Sequence, residues 1–313
     1  MVEKDSRELM VSIRCLVYNH EPYLRQCLDG FVMQQTNFRF EAIVHDDAST
    51  DGSAAIIREY AAKYPDIIKP IYETENQYSK RDGSLSRIIN AHTHGKYVAY
   101  CEGDDYWSDS QKLQKQVDFL ETNPDFVLCT HRFYILNDDA QKIVEDWNGR
   151  FKDGVEFDLE SFISRKYWLT QPLTLLYRYG VWNMEEYRQY KNAKDVTLIY
   201  YLLKKGKGIM LKDLMGVYRI HKGGVWQGAD KSKRIKVDID TMKAIYDVDK
   251  NKYSALLLRN SVYNLGYIGF KFLRKYYKDY FQVSKIIYKE LGFMVWAKTL
   301  FHSFNVFHTY FGY

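Results

Sequence analysis

Proline is scarce, five residues in 313, and cysteine scarcer still at four. So little proline, beside 46% hydrophobic and 27% charged residues, excludes a disordered, collagen-like or low-complexity chain. Cys15, Cys27, Cys101 and Cys129 stand far apart, without a CxxC pair or a His/Cys ligand spacing. That pattern points to a reduced compartment and away from a zinc site. No apolar run reaches the roughly 18 residues of a bilayer span, because lysines interrupt even the richest stretch, 255–311. Residues 1–8 hold five charges and no apolar run, so they do not read as a signal peptide.

What is present is unevenly placed. The net charge of +5 hides ten Lys and Arg against two Asp and Glu in residues 250–313, and 35 against 38 in the rest. Eighteen of the 51 aromatic residues also fall in that last stretch. An acidic-to-neutral body is therefore followed by a basic, aromatic tail, which reads as helical from residue 231 on. The tail either covers the body as ordinary helices or lies on an anionic membrane surface, with lysines at the head groups and rings in the interface. No nucleic-acid recognition motif accompanies its charge.

Over the first 135 residues strands alternate with helices. Val11–Val17 is a β-branched run that ends in the loop Tyr18-Asn19-His20-Glu21-Pro22, and Leu24, Leu28, Phe31 and Val32 then recur at helical spacing. Glu41–His45 is a second strand, followed by Asp46-Asp47-Ala48-Ser49-Thr50-Asp51-Gly52 and a helix over 53–64. Ile67–Tyr72 and Tyr97–Cys101 are further strands. A helix through Ile88 and Ala91 precedes the latter, with Gly95 expected as a left-handed cap. The alternation implies an open, mixed, mostly parallel, doubly wound α/β sheet. Beyond residue 136 the pattern loosens: a buried strand or two in 168–179, an apolar helix at 196–203, and a strand–turn–strand piece over 209–220. The expected domains are 1–230, with halves 9–135 and 136–230, and the tail 231–313.

In such sheets ligands bind beyond the carboxyl ends of the strands. Asp46 and Asp47 lie at one such end, where they serve equally well as turn and cap residues; Asp51 reads as a cap. Glu102, Asp104 and Asp105 lie at another. Three carboxylates within four residues repel one another unless a cation sits among them, and a hard divalent ion with oxygen ligands meets that need. Asp195 opens the apolar helix at 196–203, as a general base or as its cap. Tyr218-Arg219-Ile220-His221-Lys222-Gly223-Gly224-Val225-Trp226 joins cations, an imidazole and a glycine pair, fit to close over a diphosphate. His45, His92, His94 and His131 read as structural.

Val11-Ser12-Ile13 through Tyr18-Asn19, the 46–52 segment, and Gly95-Lys96-Tyr97 through Glu102-Gly103-Asp104-Asp105-Tyr106-Trp107 resemble the family 2 glycosyltransferases with the GT-A fold. The likeness is strong over 9–135, extends to Trp226 and fades in the tail. It implies an inverting transfer from a nucleoside-diphosphate sugar, a UDP-sugar favoured, to a hydroxyl of a glycan or lipid-linked acceptor, with Mn²⁺ or Mg²⁺. Such enzymes assemble capsule, O-antigen or lipopolysaccharide at the cytoplasmic side, some of them peripherally on the inner face of the plasma membrane. Carried onto this sequence, Tyr18, Asn19, Glu21, Asp46 and Asp47 face the nucleotide. Arg87 is the nearest match to the family's Arg-Asn pair, and Glu102 stands for the first Asp of its Asp-x-Asp motif. Asp104 and His221 are the implied metal ligands, Asp105 a supporting contact, and Arg219 and Lys222 phosphate contacts. Asp195 is the implied base. Trp107 and Trp226, with 168–174, are acceptor-side candidates.

Two rivals remain at the level of sequence. A sugar nucleotidyltransferase calls for a Gly-rich, cationic loop after the first strand, where this chain has Tyr18–Pro22. A catalytically degenerate binding or scaffold protein has no need to keep Asp47, Asp104, Asp195 and His221 together. A glycoside hydrolase shares the paired carboxylates but not a metal-like cluster at a parallel strand end.

Overall fold

The structure, a computed structural model, describes residues 7–149, 151, 153–164, 169–223, 231–263 and 269–304. Its β-branched runs become β1 (Leu9–Val17), β2 (Arg39–Asp46), β3 (Ile68–Tyr72) and β4 (Tyr97–Tyr100), with β5 (Tyr106–Trp107) after the acidic motif. Strands β6 (Phe126–Asn137), β7 (Lys142–Glu145), β8 (Val155–Phe157), β9 (Leu176–Arg178) and β10 (Lys207–Ile220) complete the sheet. Its order is β3-β2-β1-β4-β9-β6-β10-β5, with β7 beside β6 and β8 beside β10. The long ladders β1–β2, β2–β3 and β6–β10 are parallel, while β9 enters antiparallel between β4 and β6. The sheet is mixed and mostly parallel, as the alternation predicts.

Both faces of β1 are covered, which is why it reads as an almost unbroken apolar run. Ile13, Cys15 and Val17 pack with Leu24, Leu28 and Phe31 of α1 (Glu21–Val32) and Ile57 of α2 (Ser53–Lys63). On the other face Ser12 and Arg14 are buried polar residues: Ser12 donates to Glu41, and Arg14 reaches Thr93 and Tyr100. The short α3 (Gln77–Lys80) and α4 (Ser84–Ala91) follow β3, and α5 (Lys112–Thr122) precedes β6. All four cysteines are buried free thiols, with Cys15 and Cys27 sulfurs 4.0 Å apart.

Two expectations are corrected. Residues 209–220 do not turn: β10 is one 14-residue strand, irregular between Leu211 and Leu214 and between Leu214 and Val217, where its polar Lys212-Asp213 pair imitates a turn. Gly95 does not adopt the left-handed cap; it is glycine because a Cβ there would stand 2.5 Å from the backbone nitrogen of Ser12.

The chain divides into two compact units, Met1–Asp158 with Tyr167–Trp182 and Leu202–His221, and Leu159–Lys166 with Asn183–Tyr201 and Lys222–Tyr313. The second draws on α6 (Leu159–Ser164), α7 (Met184–Tyr187), most of α8 (Asp195–Leu203), α9 (Lys231–Asp249), α10 (Lys252–Tyr263), α11 (Gly269–Leu291) and α12 (Phe293–Phe304). Its core is Ile239, Tyr246, Leu258, Val262, Tyr280, Val283 and Ile287. The tail is thus helical, as expected, and shares its unit with segments from earlier in the chain. Among the described residues no helix is long and apolar enough to cross a membrane.

Candidate active site

The loops after β1 and β2 are fastened to each other. Asn19 Oδ1 accepts from the Thr50 backbone at 2.8 Å, and the Asn19 N–H donates to Ser49 Oγ at 2.9 Å. Glu21 Oε2 accepts from Gly52, and Asp51 accepts in return from the Glu21 backbone. Asn19 and Ala48 hold left-handed φ values of 56° and 63°; for alanine this costs about 1–2 kcal/mol, offset by the surrounding bonds. Asp46 accepts from the Ser49 backbone. Asp47 is buried, and both its carboxylate oxygens take backbone N–H groups at the start of α3, Gln77 at 2.6 Å and Tyr78 at 3.0 Å. Asn19, Glu21, Asp46 and Asp47 therefore build the loops, while the Tyr18 ring stands exposed beside them.

The end of β4 is organised differently. Asp104 Oδ2 lies 3.1 Å from His221 Nε2 and 3.8 Å from His20 Nε2. Burial resists ionisation of Asp104, but the His221 hydrogen bond and the two imidazoles outweigh it and hold its carboxyl below the ordinary value. Burial, against the pull of Asp104, keeps His20 below the usual imidazole range. Gly103 makes the approach feasible, since a Cβ there would lie 2.7 Å from His20 Nδ1. The His221 ring rests on Tyr23, centroids 4.6 Å apart.

Asp105 is buried and accepts the Arg219 backbone N–H at 2.8 Å. Burial, then the charge of Asp104, pushes its carboxyl well up. Arg219 braces this turn from β10. Its guanidinium donates to the Asp104 carbonyl at 3.0 Å, Asp138 at 2.8 Å and Gln26 at 2.6 Å, and lies over Tyr23 and Tyr106. Arg219 is thus a buried brace, in place of the open phosphate cation expected. Glu102 is exposed on the same turn, and Lys222 is exposed directly after His221.

A carboxylate and imidazoles are donor types that a divalent ion accepts, and imidazole favours Mn²⁺ over Mg²⁺. Among the described residues no group of three or more His, Cys, Asp or Glu side chains is placed to hold a metal ion by itself. His20 escaped the sequence reading, which treated its loop as nucleotide chemistry alone. The only trace it left was an imidazole in the loop that faces Gly103.

Two placements differ from expectation. Trp107 is 1% exposed, its indole N–H donates to the Leu173 carbonyl, and Phe31 and Lys112 cover its ring. It packs the core and has no surface to offer an acceptor. Arg87 is held by the Asp82 carbonyl at 2.9 Å, inside the loop that starts α4. Trp226 and Trp168 lie outside the described residues.

In the second unit Asp195 is the first residue of α8 and solvent-exposed. The helix entrance is tied by Thr197, whose hydroxyl accepts the Lys194 N–H, and among the described residues no hydrogen bond reaches the Asp195 carboxylate from another residue. Loss of water around its carboxyl to the surrounding protein raises its pKa, against the nearby charge of Lys194. An accessible, unengaged carboxylate with a raised pKa has the properties of a general base. Asp238 of α9 feels the same lysine, and burial pushes it up to about 6. A lone Asp on a polar helix face gives no sequence signal of this.

Comparison with known proteins identifies the family. The sequence profile of "Glycosyl transferase family 2" matches residues 12–178. An uncharacterized protein of Mycobacterium tuberculosis, Rv1520, is 33% identical over 237 residues, 72% of this chain and 62% of its own length. The chain thus spans about three fifths of that relative. The Escherichia coli UDP-Glc:alpha-D-GlcNAc-diphosphoundecaprenol beta-1,3-glucosyltransferase WfaP is 27% identical over 238 residues, 75% of this chain and 86% of its own. Among solved structures, S. aureus TarS 1-349 in complex with UDP-GlcNAc superposes with a TM-score of 0.65 at 17% identity, covering 90% of this chain and 81% of that one. The fold is GT-A, and the chain belongs to glycosyl transferase family 2.

Proposed function

We propose that the chain transfers a sugar, with inversion, from a nucleoside-diphosphate sugar to a hydroxyl of a glycan or lipid-linked acceptor, with Mn²⁺ or Mg²⁺ bound at Asp104. The observation that carries this reading is Asp104 Oδ2 facing His221 and His20 nitrogens at a parallel strand end, 3.1 and 3.8 Å away. UDP-sugars are favoured as donors because WfaP is named for UDP-Glc and TarS was solved with UDP-GlcNAc. WfaP is also named for a diphosphoundecaprenol-linked acceptor, which supports a lipid-linked acceptor here. The setting is capsule, O-antigen or lipopolysaccharide assembly, in the cytoplasm and peripherally at the inner face of the membrane.

The acceptor oxygen forms a bond to the anomeric carbon on the face opposite the diphosphate, and the bond from that carbon to the phosphate oxygen breaks with its electron pair. A bound divalent ion supplies charge stabilisation for the departing diphosphate. Asp104, His221 and His20 would hold that ion, and Arg219 keeps the Asp104 backbone in place. Asp195 receives the acceptor proton on its carboxylate, its raised pKa favouring proton uptake. Tyr18, Glu102 and Lys222 are exposed and are the proposed donor contacts.

The test is a transfer assay with UDP-, GDP- and CDP-sugars, Mn²⁺ and a diphospholipid-linked acceptor, with product anomers read by NMR. One nucleotide should support transfer with inverted configuration. Retained configuration, or full activity in Asp195→Asn, would refute the mechanism.

A further inference from the structure

The tail carries a surface that no step of sugar transfer uses. Among the described residues twelve large hydrophobic side chains stand exposed, and six of them lie on α11 and α12: Tyr277, Phe281, Tyr288, Phe293, Met294 and Phe301, each between 55% and 78% exposed. Such a concentration on consecutive helices calls for a reason.

Helical geometry sorts α11 into stripes beyond Tyr276, where a non-helical turn (φ −127°, ψ 33°) breaks it. At about 100° per residue, Tyr277, Phe281 and Tyr288 fall within roughly 40° of one another. Tyr280, Val283 and Ile287 face the core of the unit. Lys278, Lys285 and Lys289 form the strip on the far side of the aromatic stripe, all exposed, with the Lys285 ammonium 4.6 Å from the Phe281 ring centroid. Of the two acids of α11, Asp279 pairs with Lys236 and Glu290 accepts from Tyr246, both on α9, while Glu290 also lies 3.5 Å from the Lys289 ammonium.

Gly292, at φ 82°, ends α11, and α12 continues the apolar surface. Trp296 joins the helices, its indole N–H donating to Ser284 at 2.7 Å and its ring touching Tyr288 and Phe293 at 5.8 and 5.7 Å. Met294 and Phe301 then lie on one outward face, with exposed Lys298 beside them.

We infer that the α11–α12 hairpin docks flat on an anionic phospholipid surface, its six apolar side chains entering the head-group region and its lysines meeting lipid phosphates. The charge complementarity is specific: an aromatic stripe edged by exposed lysines, four against the single acid Glu290 beside Lys289, matches an anionic interface, where apolar burial and attraction to lipid add. The inference deepens the proposed function by giving the chain a place to meet a lipid-linked acceptor, and it stands on vesicle binding alone.

The test is co-sedimentation of the full chain with vesicles of phosphatidylglycerol and phosphatidylcholine against phosphatidylcholine alone, beside calorimetric UDP binding. Wild type should bind only the anionic vesicles, and less in high salt. The triple variant Phe281→Ser/Met294→Ser/Phe301→Ser should lose at least about tenfold in partitioning. Lys278→Gln, Lys285→Gln and Lys289→Gln should each lose about fivefold, every variant keeping its UDP binding. Absence of wild-type binding to anionic vesicles would overturn the inference, as would binding that the variants leave unchanged. So would a wild-type dimer that the triple variant turns into a monomer while vesicle binding stays absent. Vesicle binding without any nucleotide binding would overturn the transferase reading and leave this one standing.

Discussion

The two acidic strand ends of the first unit look alike as sequence and behave oppositely as structure. After β2, Asp47 gives both carboxylate oxygens to backbone N–H groups and Asp46 gives one to Ser49. After β4, Asp105 likewise takes a backbone N–H from another strand, whereas the Asp104 carboxylate faces the His221 and His20 imidazoles. A carboxylate bound by fixed amides is already satisfied and serves the backbone; one facing two imidazole nitrogens stands beside groups of a type that can ligate a cation. The difference lies in the partners, which composition does not reveal.

The sharpest way to break this contrast is Asp104→Asn, which should lower metal-dependent donor affinity about 100-fold or more with the fold intact. Comparable loss in Asp47→Asn, at unchanged stability, would erase the distinction. In the second unit Asp195→Asn should reduce kcat by about 10²–10⁴-fold and leave donor affinity alone. Because the Asp195 pKa is raised, the acid limb of the wild-type kcat/KM profile should fall above the ordinary carboxylate range, and a limb at or below pH 4 would contradict the assignment.

Arg219→Met is expected to cost about 3 kcal/mol in denaturant unfolding, since Asp138 and Gln26 lose their buried partner, and to weaken donor binding through the slackened Asp104 turn. Asp47→Asn should cost only about 1 kcal/mol, the worth of a helix cap.

Lys112 completes the series as a charge given almost nothing. It is fully buried, its ammonium lies 3.7 Å from the Trp107 ring centroid without a hydrogen-bond partner, and burial lowers its pKa to about 7. Below pH 7 it is protonated both folded and unfolded, and the full penalty applies. From there up to about 10.5 the unfolded chain binds the extra proton, so stability rises with pH. Lys112→Met should remove that slope and unfold at higher denaturant at pH 7; an unchanged slope would place the titration elsewhere.

Much of this was legible beforehand, for physical reasons. A central parallel strand buried on both faces writes itself as the β-branched run 11–17, and strand ends that hold ligands collect carboxylates. The placement of Asp195 at the start of an apolar helix was legible from the run that follows it. What stayed hidden depends on contacts distant in sequence. Arg219 sits among phosphate-binding residue types, yet Asp138 and Gln26 claim it. Trp107 follows the acidic motif but turns inward to Leu173. His20 and Asp238 matter through neighbours brought by the fold, Asp104 in one case and Lys194 in the other. Neither period nor composition encodes such partners.

The most direct measurement of the central claim is calorimetric titration of UDP, with and without Mn²⁺, into wild type and Asp104→Asn. The account predicts binding by wild type that needs Mn²⁺ and is lost in the variant, with both proteins equally folded. Equal UDP affinity in the two proteins, or binding indifferent to Mn²⁺, would contradict it.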